Sequence, residues 1–286
     1  MRLPLRQNEG VNLPLYQIDA FTRRVFGGNP AAVMPLPSWL PDATLQALAA
    51  ENNLSETAFL VGGNGAYHLR WFTPTQEVNF CGHATLASAW ALWNVLGETA
   101  PELKFRTHVG ELRAVRGEGG AVVLDLPRLD PVVSNRTAAE LETMLGLPVR
   151  EIFTAAAGNF SVFAVLESEA AVRAFVPDWG RLGRIDDLVI TAQADAHTGA
   201  DGSGADFVSR CFCPGMGIPE DPVTGSTHST LAPYWAAKLG RSTLKARQVS
   251  ARGGELGCEV LESRVQVSGD AVLYLEGSVS LPEKTA

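Results

Sequence analysis

Residues 78–97 are the stretch of this chain that most restricts its fold. The run VNFCGHATLASAWALWNVLG is 20 residues long and contains no Asp, Glu, Lys or Arg. By length alone it fits a membrane span, because about 20 apolar residues cross the hydrocarbon core. It also holds polar residues such as Asn79 and Asn94, and no basic residues flank it directly. We therefore predict a helix over 83–96, ended by Gly97, that protein surrounds on all sides.

A second uncharged run, 222–237, lies in the other half of the chain. The segments HATLASAW (83–90) and HSTLAPYW (228–235) match at His, Thr, Leu, Ala and Trp with a spacing of 145 residues. Aligning Gly82 with Gly225 gives a spacing of 143 instead. Strand-like segments surround both runs in a similar order. We interpret the chain as a duplicated α/β unit.

The predicted fold class is α+β, with two similar domains related by a pseudo-two-fold axis. Each domain wraps a curved, mostly antiparallel sheet around one central helix, which explains why neither helix has a polar face. The first domain covers 13–127 and is joined by a C-terminal strand at about 277–286, and the second covers 128–276. The cleft between two such halves is a common place for a ligand site.

Local patterns add three predictions for the first half. The segment 42–53 has apolar residues at helical spacing, with Asp42 as a candidate N-cap. The runs ETAFLV and AYHLRWF are predicted strands, joined by a hairpin turn at 62–65. The segment 102–127 is predicted to form an antiparallel meander that turns at its glycines.

Charge and cysteine content exclude several classes of protein. The net charge is −8, and no block of Lys or Arg exceeds two residues, so we expect no nucleic-acid partner. The first residues lack the apolar segment of a secretory signal, so we expect a cytoplasmic protein that does not enter a membrane. The cysteines are expected to be free and mostly buried, with the pair of the C-x-C motif on different faces of a strand. They are Cys81, Cys211, Cys213 and Cys258.

The two predicted helix starts carry residues suited to bind an anion. Gly82 opens the first helix, and Gly225 and Ser226 precede the second. A helix start offers unpaired N–H groups and partial positive charge, and glycine lets an anion approach the backbone closely. Two such starts facing one cleft would bind a carboxylate or stabilise an enolate-like oxyanion.

Three side chains near these starts are suited to proton transfer. They are Glu56 at the start of a predicted strand, His83 at the first helix start and Asp221 before the second. Each also has a purely structural interpretation. Glu56 fits a solvated carboxylate at a strand end, His83 a helix cap, and Asp221 a turn before Pro222. Ser226 likewise fits a simple helix cap. Spacing alone leaves both interpretations open.

Several longer segments carry a family resemblance along nearly the whole chain. They are IDAFT, FGGNPAAV, NNLSETAFL, NFCGHATLASA, EDPVTGSTHSTLAPYWA and QVSARGGEL. With them the sequence resembles the PhzF-like phenazine-biosynthesis isomerases, which have the diaminopimelate-epimerase-type fold. The resemblance implies that Glu56 is the general acid/base that takes a proton from one carbon and returns it to another. It implies that His83 and Asp221 hold the substrate and tune Glu56, and that Gly82, Gly225 and Ser226 bind substrate.

The same resemblance implies a homodimeric isomerase of a small carboxylate-bearing molecule, working without cofactor or metal. The family's isomerase acts on dihydro-3-hydroxyanthranilate. Two alternatives stay open: an amino-acid epimerase or racemase of the same fold, and a non-catalytic small-molecule-binding relative. Racemases of this fold use two opposed cysteines, but here Cys81 occupies one place and Thr224 the other. Asn79 also stands where many relatives are expected to have an acidic residue.

Overall fold

Strands dominate the computed structural model, which describes residues 10–156, 162–183, 185, 187–195, 204–216 and 218–282. The strands up to residue 127 are β1 (Gly10–Ala20), β2 (Asn29–Pro35), β3 (Glu56–Gly63), β4 (Ala66–Phe72), β5 (Glu77–Val78), β6 (Glu102–Thr107), β7 (Gly110–Arg116) and β8 (Val122–Pro127). Those that follow are β9 (Pro131–Val133), β10 (Glu151–Ala155), β11 (Val162–Val165), β12 (Leu188–Gln193), β13 (Phe207–Cys213), β14 (Ile218–Asp221), β15 (Thr243–Gln248), β16 (Gly254–Val260), β17 (Arg264–Gly269) and β18 (Ala271–Pro282). The helices are α1 (Asp42–Asn52), α2 (Gly82–Asn94), α3 (Ala138–Leu145), α4 (Glu169–Ala174), α5 (Trp179–Leu182) and α6 (His228–Leu239).

The strand pairing repeats itself along the chain. In the first half, β2 is parallel to β3 and β4 is parallel to β6, and the remaining pairs are antiparallel. In the second half, β11 is parallel to β12 and β13 is parallel to β15, again among antiparallel pairs. The antiparallel pair β8–β17 joins the two halves. This repeat confirms the predicted fold class.

The C-terminal strand β18 belongs to the sheet of the first half. It pairs with β1 in antiparallel register, from Ala20 opposite Ala271 to Gly10 opposite Pro282. The strand therefore begins earlier than the predicted position of about 277, and residues 283–286 lie outside the described part. The division of the chain into domains at residue 127 stays a prediction.

Helix α2 is the centre of the first half, as its lack of charge predicts. It contacts β1, β2, β3, β8 and β18, and all but two of its 13 residues are buried. Its buried hydroxyl groups are satisfied within the helix, because Thr85 donates to the carbonyl of Cys81 and Ser88 to that of Ala84. The helix ends at Asn94, and the chain turns at Gly97 with a φ of 74°. Within the described residues no helix is both long and apolar enough to cross a bilayer.

Helix α6 has the corresponding place in the second half, against β9, β15, β16 and β17. Pro233 lies within it and has no N–H to donate to the carbonyl of Ser229. That carbonyl instead accepts a hydrogen bond from the backbone N–H of Leu129 at 3.0 Å. A proline is therefore tolerated inside this helix because a neighbouring segment satisfies the carbonyl that it leaves free.

The remaining helices form separate apolar clusters with the strands. Leu45 and Leu48 of α1 are buried with Met34 and Phe59, and α3, α4 and α5 contribute to a second cluster with β11, β12 and β13. Asp42 is the first residue of α1 and makes no cap bond, so the N-cap prediction is wrong. Its carboxylate instead lies 2.9 Å from Arg70 on β4, outside the helix.

Two further predictions concern the second half. All four cysteines are free and buried, as predicted. The prediction that Cys211 and Cys213 lie on different faces of β13 is wrong, because residues two apart on a strand share a face. Their sulfur atoms lie 3.6 Å apart. Strand β11 begins at Val162, and residues 157–161 lie outside the described part.

Candidate active site

The N-termini of the two central helices meet. A Cβ atom placed on Gly82 would lie 3.4 Å from the Cα of Gly225 and 3.4 Å from the backbone nitrogen of Ser226. Cys81, the residue before α2, is extended and makes no side-chain cap bond to the first turn. The start of α2 and the turn before α6 therefore pack against each other at their glycines. This is the electropositive arrangement that both helix starts predict.

Glu56 lies beside this junction at the first position of β3. The parallel pairing of β3 with β2 places Glu56 opposite Ala31 in the sheet. Its side chain is 13% exposed, and its Oε2 lies 3.2 Å from Nε2 of His83. Although the two atoms are in contact, their geometry is not that of a hydrogen bond, and within the described residues neither atom has another partner. Both groups therefore keep hydrogen-bonding capacity for a bound molecule.

The environment of Glu56 favours its protonated form. Burial and, to a smaller extent, the negative charge of Asp221 together raise the pKa of this carboxyl group to about 8. A hydrogen bond from the Cys81 thiol has the opposite, smaller effect. Burial also raises the pKa of that thiol well above its usual value, with Glu56 adding to the shift. Near pH 7 this pair therefore rests mainly as carboxylic acid and thiol.

His83, in the first turn of α2, is neutral. Burial lowers the pKa of its imidazole to about 3. Its Nδ1 lies 3.1 Å from the amide nitrogen of Asn29 and 3.4 Å from the sulfur of Cys81. The ring thus lies between Asn29 on one side and Glu56 on the other, and it contacts the carboxyl group of Glu56 directly.

Asp221 approaches the same place from the end of β14. Its Oδ1 accepts a hydrogen bond from Asn29 at 2.7 Å, and its Oδ2 accepts one from the hydroxyl group of Thr224 at 2.5 Å. Burial raises the pKa of Asp221 to about 6, although the hydrogen bonds from Thr224 and Asn29 lower it. Near pH 7 Asp221 is therefore mainly ionised, while Glu56 is mainly protonated.

The structure brings the predicted site residues into one cluster. Glu56 contacts His83, and Asn29 joins His83 to Asp221. The glycines and Ser226 form the facing helix starts beside them. The catalytic and substrate-binding roles implied by the resemblance stay predictions.

Two buried residues of this cluster were not singled out from the sequence. Asn29 lies in the segment FGGNPAAV, which reads as a turn before a strand. Gln248 opens the segment QVSARGGEL, and its side chain accepts from the N–H of Thr224 at 2.9 Å and donates to the carbonyl of Asp221 at 2.7 Å. The only local signal at Asn29 and at Gln248 is an amide side chain at the end of a strand.

The cluster also contains a set of possible metal ligands. The ligand atoms of Glu56, Cys81 and His83 all lie within 4.8 Å of one another. Coordination of a metal there would require the thiol to lose its proton, against the burial that holds its pKa high. The prediction that the protein works without metal stays a prediction.

The fold of the chain is also found in a solved epimerase structure. A crystal structure of a hydroxyproline epimerase from Agrobacterium vitis superimposes with a TM-score of 0.58 over 97% of this chain and 95% of that one. The two sequences are 12% identical, so this comparison shows a shared fold alone.

Closer relatives define the family. Residues 18–277 match the model of the phenazine biosynthesis-like protein family, PhzC-PhzF, to which this chain belongs. An uncharacterized isomerase of Pseudomonas aeruginosa is 45% identical over 273 residues, which cover 95% of this chain and 100% of that protein. The crystal structure of a PhzF-family protein from Enterococcus faecalis is 42% identical, with a TM-score of 0.87 over 95% of this chain and 100% of that one. The family resemblance predicted from the sequence is confirmed, and with it the assignment as an isomerase.

Proposed function

We propose that the protein is a cytoplasmic, cofactor-independent isomerase that moves a proton and a double bond in a small carboxylate-bearing substrate. The observation that carries the proposal is Glu56, a largely buried carboxyl group beside His83 and next to the two helix starts, whose Oε2 has no hydrogen-bond partner among the described residues. A pKa of about 8 lies close to the operating pH, where one group can both accept and donate a proton efficiently. Dihydro-3-hydroxyanthranilate, the substrate of the family's isomerase, is the model for the substrate class.

The substrate carboxylate binds against the two helix starts. The absence of side chains at Gly82 and Gly225 lets these starts pack closely together, and Ser226 adds a backbone N–H and a hydroxyl group beside them. Each helix contributes partial positive charge at this end, so a carboxylate is favoured over a neutral group. Binding at this position holds the reacting carbons next to Glu56.

Proton transfer then requires one base. Ionised Glu56 takes a proton from one carbon, and the electron pair of the broken C–H bond forms the new C=C bond. The electron pair of the former double bond takes the same proton back from Glu56 at a second carbon. No atom or electron is gained or lost, so the step needs no redox partner. With a pKa of about 8, roughly a tenth of Glu56 is ionised at pH 7 in the free protein.

The neighbouring polar groups support this step in different ways. Neutral His83 donates a hydrogen bond to the substrate oxygen on which negative charge develops. Ionised Asp221 binds a donor group of the substrate, and its charge keeps the pKa of Glu56 high. A basic Glu56 and an ionised Asp221 thus have separate tasks, as their different pKa values imply.

Glu56→Gln tests the proposal. The protein is incubated in D₂O with dihydro-3-hydroxyanthranilate and with a metabolite extract, and isomerised or deuterated products are followed by mass spectrometry. We expect the variant to lose about 10²–10⁴-fold in rate, the usual contribution of general acid–base catalysis. Glu51→Gln, which changes an exposed glutamate of α1, is the matched control and should keep the wild-type rate. Full activity of Glu56→Gln on a verified substrate would exclude the assignment.

A racemase is the second candidate, because the fold is shared with a hydroxyproline epimerase and Cys81 lies at one helix start. Loss of α-carbon exchange in Cys81→Ala, with an amino-acid substrate, would favour the racemase.

We also propose that the chain forms a homodimer, which light scattering would detect as a mass twice that of the 30.5 kDa chain.

A further inference from the structure

The amide group of Asn29 has one possible orientation. Its Nδ2 lies 2.9 Å from the carbonyl oxygen of Val223, which can only accept a hydrogen bond, so the NH₂ end must face that side. The same nitrogen lies 2.7 Å from Oδ1 of Asp221. The opposite end, Oδ1, accepts from the hydroxyl group of Ser55 at 3.2 Å. Rotating the amide by 180° would place its oxygen against two acceptors, so these contacts fix the orientation.

This orientation determines which nitrogen of His83 carries the proton. Nδ1 lies 3.1 Å from the amide nitrogen of Asn29, which can donate but cannot accept a hydrogen bond. The two hydrogens of this nitrogen are shared among Nδ1, Asp221 and Val223. A proton on Nδ1 would face a group that cannot accept it, so Nδ1 presents its lone pair. The other neighbour of Nδ1 is the Cys81 sulfur at 3.4 Å, which is only a weak acceptor because its hydrogen is directed to Glu56. In the neutral ring the proton therefore lies on Nε2, which is 3.2 Å from Oε2 of Glu56.

We infer that Asn29 is a positioning residue that holds His83 in its Nε2–H tautomer, so that the N–H of the imidazole faces Glu56 and a bound substrate. Asn29 lies on β2 of the first half, whereas its acceptors Asp221 and Val223 lie in the second half. The tautomer is therefore set by contacts between the halves. The catalytic meaning of this tautomer rests on the proposed function, but the tautomer itself does not.

The tautomer is measurable without a substrate. Long-range ¹H–¹⁵N correlation spectra of the ¹⁵N-labelled protein show which ring nitrogen of each histidine is protonated. His83→Gln and His228→Gln assign the two buried rings. His228 is the internal reference, because its Nδ1 lies 2.8 Å from the carbonyl oxygen of Thr224 and must donate to it. We expect opposite patterns in the wild-type protein: Nε2–H for His83 and Nδ1–H for His228.

Asn29→Leu and Asn29→Ala test whether Asn29 is the cause. Leucine keeps the approximate shape of the side chain without its donor, so the preference of His83 for Nε2–H should fall. Alanine removes the donor, and the preference for Nε2–H should fall by about tenfold, as expected for the loss of one hydrogen bond. Ser55→Ala is the matched control, since it removes a contact of the opposite end of the amide and should leave His83 unchanged.

The outcomes are distinct. An unchanged His228 signal shows that the fold of a variant is intact. The inference is overturned if wild-type His83 carries its proton on Nδ1, a result that does not depend on the folding of any variant. It is also overturned if a folded Asn29 variant keeps the wild-type Nε2–H pattern. Because no turnover is measured, failure of Glu56 as the catalyst would leave the spectra of His83 unaffected.

Discussion

Replacing Glu56 by glutamine is expected to stabilise the folded protein by an amount that grows with pH. Burial raises the pKa of this carboxyl group in the folded chain from 4.5 to about 8. Between those pH values the unfolded chain releases a proton that the folded chain retains, so wild-type stability falls as pH rises. Each unit contributes about 1.4 kcal/mol, which gives about 3 kcal/mol between pH 4.5 and pH 7. Glutamine has no such proton and avoids this loss.

Urea unfolding of the wild type and of Glu56→Gln, at several pH values between pH 4.5 and pH 8, measures this pH-dependent stabilisation. The free energy of unfolding of Glu56→Gln, minus that of the wild type, should rise through this range and level off above it. A pH-independent offset from altered contacts does not affect this slope. Glu51→Gln is the matched control, because it makes the same substitution at an exposed glutamate of α1. A flat difference for Glu56→Gln would show that Glu56 is an ordinary ionised carboxylate and would remove the basis of the proposed acid/base role.

Three further results are expected. Cys81→Ser should retain the isomerisation rate within about tenfold, because the proposed proton transfer uses Glu56 and not a thiolate; a loss as large as that of Glu56→Gln would favour the racemase alternative. Gly225→Ala should weaken substrate binding and lower the melting temperature, since its Cβ would lie 3.2 Å from the ring of Phe21. Unchanged binding and stability would show that the start of α6 accommodates the added methyl group without strain. Dialysis against a chelator should leave the rate unchanged, and recovery of a lost rate by added Zn²⁺ would contradict the metal-free prediction.

The architecture was predictable because it follows from patterns within short segments. A charge-free helix such as α2 can only be stable where protein covers every side, so the uncharged runs predict two central helices and the sheets around them. Glycine at 62–65 and alternating residues on either side predict the β3–β4 hairpin in the same way. Asp42 shows the limit of such patterns: its partner, Arg70, lies 28 residues away, and no local signal distinguishes that pairing from a cap.

The polar network around the site was less predictable because its partners are far apart in the sequence. Asn29 and Asp221 are separated by 192 residues, and each alone resembles a turn residue. Glu56 and His83 were singled out because they adjoin recognisable segments, but their contact and their burial arise only when the strand and helix pack together. The chemistry of such a site depends on that burial, since an exposed glutamate would not have a pKa near 8.

The second helix start explains why one carboxyl group is expected to transfer the proton in both directions. Thr224, at the place of the second racemase cysteine, donates its hydroxyl hydrogen to Asp221. The side-chain oxygen of Gln248 accepts the backbone N–H of Thr224. Thr224 therefore has no proton to exchange with a substrate carbon. Because Glu56 is 13% exposed, a proton taken from the substrate should exchange slowly with water before its return. In D₂O we expect product that retains part of the substrate hydrogen at the new position. Product that is fully deuterated from the first turnover would instead require a second, solvent-exchanged acid.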